Sequence, residues 1–111
     1  MCGICGLVHT DTSATVNEQR LGCMNAAMAH RGPDDTGQWV QGHAGLAMRR
    51  LSIIDLLAGR QPMISEDGRY VLVFNGEIYN FKELRATLEG LGHQFRTNSD
   101  TEVVLRAFEQ Y

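Results

Sequence analysis

Residues 70–74, Tyr-Val-Leu-Val-Phe, are rich in β-branched and aromatic side chains, which suit the pleated, half-buried surface of a β-strand. Any fold of this chain must give that segment a sheet. Asn75-Gly76 follows immediately, before Glu77-Ile78-Tyr79; on local chemistry this dipeptide is a two-residue turn and the stretch a hairpin. The same neighbourhood then changes period. Asn80 with Glu83 has capping-box spacing, and Phe81, Leu84, Leu88 and Leu91 recur at helical intervals until Gly92 ends the run. Ser99-Asp100-Thr101-Glu102 opens a second helix through Val103, Val104, Ala107 and Phe108, after a short strand expected at 94–96. Strands interleaved with helices in this way place the chain in the α+β class.

The first half repeats the theme. Residues 3–9 (GICGLVH) read as a buried strand. Leu21, Met24 and Met28 form an apolar stripe of helical period within 17–29. His30-Arg31-Gly32-Pro33-Asp34-Asp35-Thr36-Gly37 ends that helix in a structured loop. Residues 38–40 and 45–49 read as strands, and 55–63, with Gly59 and Pro62, as loop. At 111 residues with 43% hydrophobic and 21% charged side chains, one globular unit with a real core is expected. The formal net charge of −3 with mixed signs offers no basic stripe for nucleic acid. Neither a membrane span nor a signal peptide is legible, and three cysteines without a secreted-scaffold spacing suit a reducing, cytoplasmic setting without disulfides. Ending in mid-helical pattern at Tyr111, the chain reads as part of a longer protein.

Several residues could carry chemistry. Removal of Met1 would leave Cys2 with a thiol and a free α-amine, a nucleophile and a base in one residue. Such groups titrate near ~8.5 and ~8, so a modest bias yields thiolate at neutral pH. Position alone favours an ordinary small apolar residue starting a strand. Cys5 adds a Cys-x-x-Cys spacing, but Cys23 and the scattered His9, His30, His43 and His93 supply no second close pair for zinc. Cys5 and Cys23 read as buried free thiols, and no metal site is assigned. The Asn75 amide beside the Gly76 N–H is both a turn and the donor pair an oxyanion hole requires. Of the adjacent Arg49 and Arg50, one faces in if the segment is a strand, and an inward arginine needs a carboxylate. Glu77 and Asp100 are individually unremarkable, and Asp34 with Asp35 has no acid/base spacing.

Six ordered blocks together carry a resemblance: Met1-Cys2-Gly3-Ile4, His30-Arg31-Gly32-Pro33-Asp34, Arg50-Leu51-Ser52-Ile53-Ile54-Asp55, Ala58-Gly59-Arg60-Gln61-Pro62, Asn75-Gly76-Glu77-Ile78-Tyr79-Asn80 and Ser99-Asp100-Thr101-Glu102-Val103. The chain resembles the amino-terminal glutaminase domain of class II glutamine amidotransferases, within them the asparagine synthetase type. Sister enzymes share the cysteine start and an Asn-Gly element but differ in the arginine block and lack AGRQP. The resemblance implies an N-terminal nucleophile hydrolase fold, a four-layer αββα sandwich incomplete in 1–111 because family domains continue beyond Tyr111. It implies Cys2 as nucleophile and, through its amine, base, with Asn75 and Gly76 as oxyanion hole. Arg50 would hold the carboxylate of L-glutamine with a planar fork. Glu77 and Asp100 would hold its ammonium, with Ile53 and Ile54 contributing backbone contacts.

The implied reaction is glutamine hydrolysis to glutamate and ammonia, feeding ATP-dependent asparagine synthesis from aspartate in a downstream synthetase domain absent from these residues. ATP and magnesium belong to that domain; no phosphate-cradling glycine loop lies in this segment, and no cofactor is expected in it. Open strand edges would favour pairing between copies. Three other readings stay open: a paralogue amidating another carboxylate, a non-catalytic fragment, and a Cys-x-x-Cys metal or redox module.

Overall fold

The computed structural model describes residues 2–51 and 59–111, in the order β1 (Gly3–Val8), α1 (Glu18–Ala27), β2 (Asp35–Gln41), β3 (Ala44–Arg50), β4 (Met63–Ile64), β5 (Val71–Leu72), α2 (Phe81–Gly90) and α3 (Asp100–Gln110). This is an α+β arrangement with two antiparallel sheets, one ordered β1-β3-β2 and one pairing β4 with β5. Among the described residues no helix is long and apolar enough to cross a membrane.

The three-stranded sheet is built from alternation. In its register Cys5 stands opposite Ala47 and Leu7 opposite Gly45, while Gln38 and Val40 flank the same two β3 positions from β2. Cys5, Leu7 and Val40 pack with buried Val16, Leu21 and Ala47, so this face carries the core, and α1 covers it. Asn17 caps α1 by accepting the Arg20 N–H at 3.0 Å. Leu21 is fully buried and Met24 and Met28 half-buried, the expected stripe, with Asn25 also buried in it. Asn25 bridges helix and sheet by donating to Thr36 Oγ1 at 2.8 Å while its carbonyl accepts from Arg49 Nε at 3.2 Å. Strand 3–8 is not buried throughout as expected: Ile4 and Val8, on the face away from α1, are 45% and 70% exposed. Nor is 30–37 loop to its end. The glycine at 37 lies within β2, because Asp35 and Thr36 already pair with Arg50 and Arg49.

The second half departs further from local chemistry. Strand 70–74 shortens to Val71–Leu72, whose partner is Met63–Ile64 rather than the residues after Asn75-Gly76. Gly76 is not among the glycines with positive φ, so the dipeptide is no type I′ turn. The backbone groups a hairpin would pair are taken by side chains: Gln61 bonds both polar groups of Phe74, and Asp100 Oδ2 accepts the Ile78 N–H at 3.0 Å. The strand expected at 94–96 is also absent among the described residues. There the N–H groups of Arg96 and Thr97 donate to Glu102 instead, at 2.9 and 2.6 Å.

Helix α2 begins where expected, but the Asn80 side chain makes no capping bond, leaving that capping box unformed. Its end follows the sequence closely. Gly92, at φ +99°, lets the N–H groups of Gly92 and His93 return to the carbonyls of Glu89 and Leu88, closing the helix in a Schellman motif. The second box does not close either: Ser99 caps α3 by accepting the Thr101 N–H at 3.0 Å, one residue short of the position a box requires, while Glu102 turns away to the 96–97 segment. Helices α2 and α3 pack together, and Leu88 on α2 and Val103 and Leu105 on α3 are buried.

Candidate functional site

Alternation along β3 separates its two arginines. Arg49 lies under α1, whereas Arg50 faces the other side of the sheet and lines a cleft of about 670 Å³ between the two sheets and the start of α3. Cys2, Arg50, Asn75, Gly76, Glu77 and Asp100 all line this cleft. Six residues drawn from four separate blocks of sequence thus meet in one place. Ile53 and Ile54 lie outside the described residues.

Cys2 is anchored through its backbone. Its carbonyl oxygen accepts from Asn75 Nδ2 at 3.1 Å and from Arg31 Nε at 3.2 Å. Among the described residues, its Sγ lies 3.9 Å from the Leu51 carbonyl oxygen, a weak contact. Behind it the fit is close. A Cβ on Gly3 would stand 3.0 Å from Met28 Sδ, and one on Gly32 would stand 2.4 Å from both Arg49 C and Arg50 N. Gly32 therefore lets the loop holding Arg31 press against the backbone that carries Arg50. Because an amide nitrogen carries two hydrogens, Asn75 retains a second donor beyond the one given to Cys2. Gly76 follows with its Cα turned against the Phe74 ring, where a Cβ would come within 2.9 Å.

The far wall belongs to α3. Asp100 occupies the first turn, where a carboxylate is favoured by the helix dipole, and its bond to the Ile78 N–H links that wall to the Asn75-Gly76 segment. Glu77 is exposed at the rim. The cleft therefore carries a guanidinium on one side and two carboxylates on the other. This charge pattern complements a zwitterionic amino acid.

Two contributors had been recognised only as parts of sequence blocks, Arg31 and Gln61. Nothing in their periodicity signals a role, since each acts on a backbone group distant in sequence. The thiols differ from expectation in one respect. Cys5 is half-buried and its pKa is pushed up by that burial, but Cys23 is exposed on α1, where its position faces away from the Leu21–Asn25 stripe. Among the described residues no three His, Cys, Asp or Glu side chains converge as a metal site would need.

The profile of the glutamine amidotransferase domain family matches residues 1–111, and the chain belongs to that family. It is 45% identical over its whole length to "Asparagine synthetase [glutamine-hydrolyzing] 1" of Bacillus subtilis (strain 168), covering 18% of that protein. It is 41% identical across 99% of its length to "Asparagine synthetase B [glutamine-hydrolyzing]" of Escherichia coli (strain K12), covering 20% of it. A plant relative, from Arabidopsis thaliana, is 40% identical over the whole chain and is covered to 19%. The chain thus spans about a fifth of the length of the curated relatives it matches.

Proposed function

We propose that this chain carries the glutamine-hydrolysing site of an asparagine synthetase-type amidotransferase, with Cys2 as nucleophile. The observation that carries this reading is the convergence of Cys2, Arg50, Asn75, Gly76, Glu77 and Asp100 on one cleft. Arg50 binds the α-carboxylate of glutamine, and Asp100 and Glu77 bind the α-ammonium, leaving the side-chain amide at Cys2. With Met1 removed, the Cys2 α-amine takes the thiol proton and the thiolate attacks the amide carbon. The resulting oxyanion accepts from the free Asn75 Nδ2–H and the Gly76 N–H. The α-ammonium returns its proton to the departing nitrogen, ammonia leaves, and water hydrolyses the thioester to glutamate. The four-layer sandwich of N-terminal nucleophile hydrolases belongs to the same proposal, the β1-β3-β2 sheet with α1 being two of its layers.

The names of the relatives support asparagine synthesis as the use of the ammonia; aspartate as acceptor, with ATP and magnesium held by a linked synthetase domain, belongs to the same proposal. No residue of this chain is assigned to either cofactor. The test is intact mass spectrometry before and after the glutamine-analogue alkylator 6-diazo-5-oxonorleucine, alongside glutamate release from glutamine. Loss of Met1, one adduct mapping to Cys2, and no adduct or turnover in Cys2→Ala are expected. Labelling elsewhere, or turnover surviving Cys2→Ala, would sink the assignment.

A further inference from the structure

The β4–β5 ladder pairs Met63 with Leu72, and its register would next bring Pro62 opposite Val73 and Gln61 opposite Phe74. Proline has no N–H, so the backbone ladder stops. One rung further on, a side chain resumes it. Gln61 Oε1 accepts the Phe74 N–H, and Gln61 Nε2 donates to the Phe74 carbonyl at 3.1 Å. A primary amide offers the same donor and acceptor as a peptide group, so the Gln61 side chain imitates the missing strand. The same Nε2 lies 3.4 Å from Thr101 Oγ1, beside Asp100 on α3. The Gln61 backbone is fixed in turn by β2: a Cβ on Gly37 would fall 1.8 Å from its carbonyl oxygen. The residue so clamped, Phe74, immediately precedes Asn75-Gly76.

We propose that Gln61 is a positioning residue for glutamine hydrolysis, its amide standing in for a β-strand so that Asn75 and Gly76 leave Phe74 at the angle the oxyanion requires. This rests on the glutaminase reading above. Gln61 borders the cleft, but both polar atoms of its amide are committed to the Phe74 peptide, through which it acts. The transition state should therefore suffer more than substrate binding, because Arg50 on β3 and Asp100 on α3 hold the amino-acid end from elements other than the Phe74 segment. Misplacing a reacting group by about 1 Å can cost on the order of 100-fold.

The experiment measures kcat and KM for glutamine in the full-length protein with Gln61→Met and Gln61→Glu. Gln61→Met, which keeps the volume but neither bond, should lower kcat about 10- to 100-fold while KM changes by less than about threefold. Gln61→Glu supplies a readout that packing alone would not move. Its carboxylate sets an acceptor against the Phe74 carbonyl, whereas the protonated acid regains a donor and an acceptor. The ratio of its kcat to that of the wild type should therefore rise as pH falls toward 5, and this series still decides if Gln61→Met does not fold. Unchanged kcat in Gln61→Met, an effect confined to KM, or a pH-independent ratio for Gln61→Glu would each overturn the proposal. An inactive wild type would overturn the glutaminase reading instead. The clamp would then be judged by the Phe74 amide proton in NMR, whose exchange should accelerate in Gln61→Met; an unchanged rate would overturn the clamp as well.

Discussion

Replacing Glu102 by glutamine should destabilise this domain by about 3–5 kcal/mol, an amount that follows from its contacts. Glu102 is fully buried. One carboxylate oxygen accepts the Arg96 N–H at 2.9 Å; the other accepts the Thr97 N–H and the Thr97 hydroxyl, at 2.6 and 2.7 Å. A glutamine can keep the first bond but then turns its NH2 toward the Thr97 N–H, losing that charge-assisted bond of about 1.5–3 kcal/mol and orphaning a buried donor at about 1–3 kcal/mol more, while the Thr97 hydroxyl can turn to accept. Arg106, 3.7 Å away and itself buried, loses an anionic neighbour and keeps Glu109 at 3.0 Å. Burial alone raises the Glu102 pKa, but the Arg96 and Thr97 bonds and the Arg106 charge outweigh it, and the carboxyl titrates below its ordinary value. A depressed native pKa contributes stability that is complete above the unfolded value of about 4.3 and is lost as pH falls through the native one. Urea unfolding followed by circular dichroism should accordingly show the full deficit from pH 7 to about 5, then convergence of variant and wild type in more acid solution. In thermal melts at neutral pH the deficit corresponds to roughly 10–20 °C for a domain of this size. A deficit under about 1 kcal/mol, smaller than one buried charged hydrogen bond, would refute the reasoning, as would one that does not change with pH.

Gly32→Ala forces a Cβ onto the Arg49–Arg50 backbone at 2.4 Å; it should cost about 1–3 kcal/mol in urea unfolding and, by moving Arg50, raise the glutamine KM more than it lowers kcat. Native iodoacetamide labelling with peptide mapping should modify exposed Cys23 well before half-buried Cys5, whose thiolate is disfavoured by burial, and raising pH should narrow that gap. Equal rates at neutral pH would contradict the packing of β1 against α1.

Much of the fold was legible where a local rule and the tertiary outcome agree. Gly92 and Ser99 each do at a helix end what their chemistry suggests, and the Leu21 stripe faces the sheet. The misreadings share one physical origin. The hairpin expected at Asn75-Gly76, the strand at 94–96 and the Asn80 capping box were argued from neighbours in sequence, yet at the first two the backbone is satisfied by side chains from elsewhere: Gln61, Asp100 and Glu102. Periodicity carries no information about such partners. The candidate site behaved differently, because ordered blocks name residues without needing their contacts. Cys2, Arg50, Asn75, Gly76, Glu77 and Asp100 were all named from sequence, whereas the Arg31 bond to the Cys2 carbonyl and the Gln61 clamp became visible only in three dimensions.

The shared Cys2 carbonyl and the contact of Gly37 with Gln61 together act as the pins of a jig. One joins the edge strand of the larger sheet to the Asn-Gly element, the other joins its far edge to the smaller sheet, so the distance between thiol and oxyanion donors is set across space and not summed along the chain. Dimensional errors in the connecting segments then do not accumulate at the cleft. The turns around Gly42 and Gly68 have open space about their tips, although their φ of +56° and +73° holds those two positions to glycine, and are accordingly where length can drift while the working gap stays in tolerance.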